Sequence, residues 1–423
     1  MNKTLLIVAA GPLQVPAFKE ARAMGIRTVA VDANPAAPGM SLADAHYAAD
    51  ILDHELVTQI ARRERVDGVM TLCTDAPVRT VALVASQLKL KALSPQAAAN
   101  STDKRLMRRC LASAAVPIPK FSVVGSLEET YRSAEAIDFP LVLKAPCSSG
   151  SRGVVRVESA SELESAVIEV RRFQPTGELL LEEWMEGPEV SVEGACQGDK
   201  VQIIQVTDKT LFSGAFPVEA GHTQPSMLPT PIIERIRSVT TDAVSALGLS
   251  DCALHAELKI TSDGPKIVEV GARLGGDRIA THLTPLSTGV NLLRATIMIA
   301  MGEVPDLVPK FSRGAAVRYF HAPECGVIKS IGGLSQIDSL PGLELLYAAS
   351  ERDGELRPGL RIGQVHSSLD RYGHVLFSGE DAAQASQRAE HAASLVHFCF
   401  QPDSMVGNAS LSTEESRSDM LKT

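Results

Sequence analysis

The sequence has no CxxC pair, although it carries seven cysteines, at positions 73, 110, 147, 196, 252, 325 and 399. Scattered and odd in number, they read as reduced, mostly buried thiols and not as a disulfide framework or a zinc site. Cys147 lies in a glycine-rich loop, but no histidine is near it in sequence, so a bystander thiol is expected. Long apolar runs are also missing. "TLLIVAA" near the start is far too short to span a bilayer, and it leads into a strand–turn–helix pattern without a convincing cleavage site. Cytoplasmic residence and no membrane partner follow as expectations. With a net charge of −9 and no long Lys/Arg cluster, nucleic acid is a poor partner, whereas a small anion can still meet a local basic site. There is no internal repeat.

What is present is a soluble globular composition, 45% hydrophobic and 22% charged, in 423 residues. That length exceeds one ordinary core and predicts two or three domains. Residues 1–95 alternate strand and helix as a small doubly wound α/β unit: "TLLIVAA", a helix from Pro16 to Met24, "RTVAVD", "HELVTQIARRERV", "GVMTLCTD" and "APVRTVALVASQL". Its first turn, "AAGPLQVP", has one glycine where a dinucleotide fingerprint needs three, which argues against NAD despite Asp32 at the end of the second strand. Residues 96–185 start with a helix, "STDKRLMRRCLASAAVPIPKF", expected to be capped by Ser101 or Thr102. A strand, a Gly/Ser loop and a strand follow in "FPLVLKAPCSSGSRGVVRV", then a strand pair joined at Gly187–Pro188 in "GELLLEEWMEGPEVSVEGAC". Residues 186–310 are strand-rich before a buried helix, "GVNLLRATIMIAMGE". Residues 311–400 form a β-rich lobe with a final helix, and the Ser/Glu/Thr-rich residues 401–423 read as a disordered tail.

Two glutamates stand out on apolar strands, in "ALHAELKI" and "KIVEVGARLGGD". A carboxylate does not face inward unless something pairs it. The intervening "TSDGP" is a hairpin signal. With Ser262, Asp263 and Gly264 as a three-residue loop, Thr261 pairs with Pro265, and Glu257 falls opposite Glu269. Cross-strand Cβ atoms are about 5 Å apart, where like charges repel. Two such carboxylates suit a hard cation such as Mg²⁺ carried with a nucleotide phosphate. The hairpin alone is equally compatible with an exposed sheet face neutralised by Lys259 or Lys266. A second feature bears on the choice. Lys144 ends an apolar strand and is followed by Ser and Gly, whose backbone N–H groups can wrap phosphate oxygens. The lysine precedes the glycines, so this is not a Walker loop. "LLLEEWMEGPE" adds an acidic strand end where backbone groups can pair an adenine and an acid can accept ribose hydroxyls.

Taken in order, a lysine at a helix start, a lysine with a Gly/Ser loop, an acidic strand end, paired strand glutamates and an arginine resemble the ATP-grasp superfamily over roughly residues 1–380. The resemblance implies an α/β and α+β ATP-grasp fold: an N-terminal doubly wound preATP-grasp lobe (1–95), a two-part ATP clamp (96–185 with the phosphate loop, 186–310 with the metal site) and a small β-rich C-terminal lobe (311–400). By the same resemblance Lys104 and Lys144 contact the nucleotide, and Gly150 and Ser151 lie in the phosphate loop. Glu182, Glu183, Trp184 and Met185 form the adenine-reading hinge, with Glu189 at the ribose. Glu257 and Glu269 ligate magnesium, which manganese can replace. Many members have Asn two residues after the second glutamate. Here that residue is Gly271, which leaves a second ion more to phosphate and water.

"VEVGARLGGDRI", "TLCTDAPVRTVA" and "PVEAGHTQPSMLP" together resemble the L-amino-acid ligases, the dipeptide-forming branch. That likeness implies a carboxylate–amine ligase working through an acyl phosphate, of the kind found in dipeptide and natural-product assembly. Arg273 is then the residue that grips a carboxylate or acyl phosphate, with Gly275 and Gly276 allowing close approach. Glu219 and His222 lie on the loop around the first amino acid, and Asp75 is placed to meet an ammonium group. The expected partners are small-molecule amino-acid or acid substrates, and a homodimer is compatible with the sequence. Three rivals stay open: a carboxylase or formate-using ligase of the biotin-carboxylase or purine type, a ligase joining a non-standard acid to an amino acid, and a nucleotide-binding regulator without turnover.

Overall fold

The computed structural model describes residues 3–147, 153–212, 218–322, 324–350 and 354–401. The expected disordered tail, apart from residue 401, lies outside them. The first sheet is parallel, with order β3-β2-β1-β4 from Ala45–Ala48 (β3), Arg27–Asp32 (β2), Thr4–Val8 (β1) and Gly68–Met70 (β4). All five residues of β1 are buried, because helices cover both faces and a continuous apolar run is what such a strand requires. Leu6 and Val8 pack with Val57, Ile60 and Ala61 of α2 (His54–Glu64) and Val81, Val84 and Ala85 of α3 (Val78–Leu88). Leu5 and Ile7 face the other way, toward Ala17, Phe18 and Ala21 of α1 (Val15–Ala23). On that side the helix Leu292–Ala300, remote in sequence, joins the same core through Leu292, Ile297 and Ile299. Asp32 accepts hydrogen bonds from the backbone N–H groups of Ala10 (2.7 Å) and Asn34 (2.8 Å), so its carboxylate is engaged in holding its own turn.

The segment read as one helix from Ser101 onward is two, α4 (Pro95–Thr102) and α5 (Lys104–Ser113). Ser101 and Thr102 end the first. Asp103, extended and accepting from the Arg105 N–H, caps the second, since a short carboxylate at that position satisfies an orphan donor and favours the positive end of the helix. The second sheet is antiparallel, with order β5-β8-β6-β7 from Phe121–Val124 (β5), Leu179–Glu183 (β8), Leu141–Lys144 (β6) and Val154–Val157 (β7). Leu141, Leu143, Leu179 and Leu181 pack against α6 (Leu127–Ile137) and α7 (Leu163–Arg171). The two-residue period of a strand therefore turns Val142, Lys144 and Glu182 to the opposite face.

The third sheet has eight strands. It contains β9 (Glu189–Gln197), β10 (Lys200–Leu211), β11 (Glu219–Gln224), β12 (Cys252–Thr261), β13 (Gly264–Gly271) and β14 (Gly314–Tyr319), in the order β13-β12-β9-β10-β11-β14, followed by His374–Gly379 and Leu343–Tyr347. α8 (Thr230–Leu247) packs on it through Ile236, Ala243 and Leu247. β8 and β9 are thus not a hairpin pair, as the sequence suggested. The chain leaves one sheet at Glu183 and enters the other at Glu189. Residues after 310 add three strands to this large sheet and also form a separate three-stranded one. Among the described residues no helix is long and apolar enough to cross a membrane.

Candidate active site

Between the second and third sheets lies a cleft of about 220 Å³. Its walls carry apolar surface from Val142, Val154, Met185 and Leu211 and a dense set of charges from Lys104, Lys144, Lys209, Glu257, Glu269 and Arg273. The 184–188 crossover forms one rim. Its Trp184 N–H donates to the Pro140 carbonyl (3.0 Å), its indole N–H donates to Glu186 (2.8 Å), and the Arg156 guanidinium lies 4.4 Å from the ring centroid. At Gly187 (φ +130°) a Cβ would run into the Ile260 carbonyl, so this turn depends on glycine.

Lys104 and Lys144 are both buried and both held by acids. Lys104 Nζ is 3.1 Å from Glu269 Oε2, and Lys144 Nζ is 2.7 Å from Glu182 Oε2. The backbone N–H of Lys104 also donates to the Pro146 carbonyl (3.1 Å), tying the start of α5 to the segment after β6. Glu182 does not stand open as a hydroxyl acceptor. It is 1% exposed and paired with Arg108, which is 0% exposed, at 2.5 Å. Burial alone would push the Glu182 carboxyl up, but the Arg108 and Lys144 charges bring it down to about 2. Arg108 was not anticipated from the sequence, although it follows Lys104 by four residues and so shares its helix face. Gly150 and Ser151 lie outside the described residues.

The two glutamates of the hairpin do face each other. Glu257 pairs with Glu269, and both line the cleft. The route to that register differs from the one expected. The turn contains only Ser262 and Asp263, and Thr261 pairs with Gly264, not with Pro265. A two-residue turn alone would offset the glutamates by one position. The ladder shifts between Glu257 and Leu258, where Leu258 pairs with Ile267 and Val268 is left over as a β-bulge. The extra residue restores the pairing. The freed Val268 carbonyl accepts a hydrogen bond from Arg108 Nη2 (2.8 Å), so one arginine holds both the Lys144 anchor and the bulge.

Glu257 meets Lys209 Nζ at 3.4 Å and His255 Nε2 at 3.3 Å. Burial would raise its carboxyl, but Lys209 and then His255 hold it well below the usual range. Lys209, 4% exposed, also pairs with Glu189 and stands 3.6 Å from Glu219. These three acids keep its ammonium charged, well above its ordinary value despite burial. His255 hydrogen-bonds Glu193 through Nδ1 (2.5 Å). Burial opposes its charge, yet Glu193 and Glu257 raise it to about 9. Lys209, His255 and Glu193 were missed in the sequence. Glu193 and His255 sit mid-strand with no local signal beyond a polar group in an apolar run, Lys209 lies near the polar end of β10, and β9, β10 and β12 bring them together only when the sheet forms.

The expected substrate residues cluster, but with partners of their own. Arg273 lines the cleft and grips Asp75 with two hydrogen bonds (2.9 and 3.0 Å), so Asp75 answers an arginine and not an open ammonium position. His222 is 1% exposed and faces Asp277 (Nε2 to Oδ2, 3.1 Å), which in turn binds Arg371 through both oxygens (2.8 and 2.5 Å). Glu219 accepts from Ser368 Oγ (3.0 Å), so residues from beyond 318 help build this end. Gly275 is packed, its N–H donating to Glu193 Oε2 (3.1 Å), whereas Gly276 opens onto space within 4 Å. Arg273 lies over Gly271, its Cγ 3.4 Å from where a Cβ would stand.

The residues fit a hard cation. Two cleft carboxylates stand in register, and each already attracts an ammonium group. Among the described residues no group of three or more His, Cys, Asp or Glu side chains could hold a metal ion. A cation held by this pair would have two protein oxygen donors and would take its remaining ligands from phosphate and water.

Three sheets with a charged cleft between the second and third define an ATP-grasp fold. Residues 137–281 match the ATP-grasp domain family, and residues 318–400 match the L-amino acid ligase C-terminal domain 2. The chain therefore carries an ATP-grasp domain followed by an L-amino acid ligase C-terminal domain 2. It is similar to alanine–anticapsin ligase of Bacillus subtilis (strain 168), 26% identical over 249 residues, covering 53% of this chain and 52% of that protein. An uncharacterised protein of Sinorhizobium fredii, y4rH, is 28% identical over 341 residues, 79% of this chain and 68% of that one. A formate-dependent phosphoribosylglycinamide formyltransferase of Ignicoccus hospitalis is 24% identical over 407 residues, 93% and 95% of the two chains. The chain thus spans about half the length of the anticapsin ligase and nearly all of the formyltransferase. Among solved structures, an L-amino acid ligase from Bacillus licheniformis superposes with a TM-score of 0.80 at 23% identity, covering 95% and 99% of the chains, a likeness of fold.

Proposed function

We propose that the protein joins a carboxylic acid, an amino acid or a related acid, to the amine of an amino acid, consuming ATP and releasing ADP and phosphate through an acyl phosphate. The observation that carries this is the registered Glu257–Glu269 pair, in one cleft with Lys104, Lys144 and Arg273. The L-amino acid ligase domain over 318–400 supports amino-acid substrates. When bound with the nucleotide, Mg²⁺ neutralises phosphate charge during transfer, and Glu257 and Glu269 are the residues that hold it. Lys104 and Lys144 bind phosphate oxygens. The backbone of Glu183 to Met185 meets the base, and Glu189 meets the ribose. Arg273 orients the acid substrate and then the acyl phosphate, its guanidinium aimed by Asp75. Glu219 and His222 flank the substrate end, where a carboxylate or imidazole can take the proton lost by the attacking amine.

A second reading, a carboxylase or formate-using ligase, is favoured by the end-to-end match to the formyltransferase. A phosphate-release screen of amino-acid pairs with ATP and magnesium, with mass spectrometry of the products, separates the two. ADP and a condensed product formed only with amino acids support the peptide-bond reading. Turnover with bicarbonate or formate and none with amino acids would replace it.

A further inference from the structure

Glu193 is 0% exposed, yet none of the steps above uses it. Its two oxygens are divided between different elements. Oε1 takes the His255 Nδ1 hydrogen bond at 2.5 Å, and Oε2 takes the Gly275 N–H at 3.1 Å. His255, 5% exposed and directly across the ladder from Glu193, then reaches Glu257 Oε1 with Nε2 at 3.3 Å. No slack is left in this stack. A Cβ at Gly275 would stand 2.7 Å from His255 Nδ1 and closer still to Glu193 Oε1.

We propose that His255 is a positioning residue, braced from behind by Glu193, which aims Glu257 at the metal and fixes the Gly275 turn to the same strut. This rests on the reading of Glu257 as a metal ligand. The chemistry is that of a hydrogen-bonded outer partner. A carboxylate with free rotation samples orientations that do not bind a cation, and one held at Oε1 by a braced imidazole is pre-oriented. A fully buried carboxylate needs hydrogen bonds on both oxygens to offset its desolvation, and what distinguishes Glu193 is where its two partners lie. Here both oxygens are spent on groups that reach the cleft, at the metal strand and at the glycine turn.

The geometry gives the test. An asparagine at 255 keeps a donor near the Nδ1 position but cannot reach Glu257, whereas a glutamine places its amide near the Nε2 position. Mn²⁺ binding to the full chain saturated with a non-hydrolysable ATP analogue is read by electron paramagnetic resonance, without turnover. His255→Asn is expected to weaken Mn²⁺ binding by roughly 10- to 100-fold and to raise the KM for Mg²⁺ more than it lowers kcat at saturating metal. His255→Gln is expected to recover most of that loss. Equal weakening by both variants, or wild-type affinity in folded His255→Asn, overturns the proposal. If His255→Asn does not fold, Glu193→Gln decides: wild-type Mn²⁺ affinity there overturns the brace, and weakened affinity in a folded protein supports it. Glu257→Gln is the reference. If it leaves Mn²⁺ affinity unchanged, the metal reading itself falls and the positioning role with it. If it weakens binding while His255→Asn does not, the positioning role alone falls.

Discussion

Replacing Glu182 with glutamine removes the charge that holds two cations in a dry wall of the cleft. Arg108 is then left at 0% exposure with the Val268 carbonyl as a neutral acceptor, and Lys144 loses the oxygen 2.7 Å away. The drop of the Glu182 carboxyl from 4.5 to about 2, at about 1.4 kcal/mol per pH unit, corresponds to on the order of 3 kcal/mol. Removing one partner of a buried pair costs a similar amount, about 3–5 kcal/mol. The sign follows from linkage. A carboxyl whose folded value is depressed contributes stability above its unfolded value, and that contribution is lost as pH falls through the folded one. Urea unfolding should therefore separate wild type from Glu182→Gln by about 3 kcal/mol at pH 7, and the gap should shrink as pH falls from 4.5 toward 2. The chain has one tryptophan, Trp184, which lies at the rim of the same cleft and so offers an emission probe for the unfolding measurement. A gap below about 1 kcal/mol at pH 7, or one that does not change with pH, would refute the claim that Glu182 is an ionised strut.

Glu269→Gln and Glu257→Gln should each abolish ADP release while leaving circular dichroism and the Trp184 emission spectrum unchanged; unchanged turnover would refute the metal assignment. Arg273→Ala should lower kcat/KM for the acid substrate by roughly 10- to 100-fold, the loss of a bidentate charged contact, and full activity would remove its role. Gly187→Ala, with its Cβ against the Ile260 carbonyl, should lower the unfolding midpoint and cost about 1–3 kcal/mol; a neutral result would mean the crossover can move aside.

Chain order carried much of the cleft's charged lining. Lys104, Lys144, Glu257, Glu269 and Arg273 announce themselves as charges at strand ends, helix starts or within apolar runs, and all five line one cleft. Period-two alternation also suffices to turn Lys144 to the face opposite Leu141 and Leu143. It could not reveal the bulge at Val268, because register in a hairpin depends on backbone geometry that a neighbouring element, here Arg108 from α5, can stabilise. Nor could it reveal that Glu182 faces inward, since the arginine that makes this tolerable lies 74 residues away in sequence.

By itself, then, the amino-acid sequence determined the doubly wound first unit and the identity of the charged residues, consequences of local periodicity and residue chemistry, whereas the opposition of the two acids also needed the bulge at Val268. Tertiary structure alone decided how each charge is neutralised. It brought Lys209 among three carboxylates, set Asp75 on Arg273, linked Glu193 through His255 to Glu257, and drew Arg371 and Ser368 from the C-terminal segment to Asp277 and Glu219. The reason is electrostatic. A buried charge is stable only beside a counter-charge, and sheet pairing across distant strands, not sequence proximity, determines which partner that is.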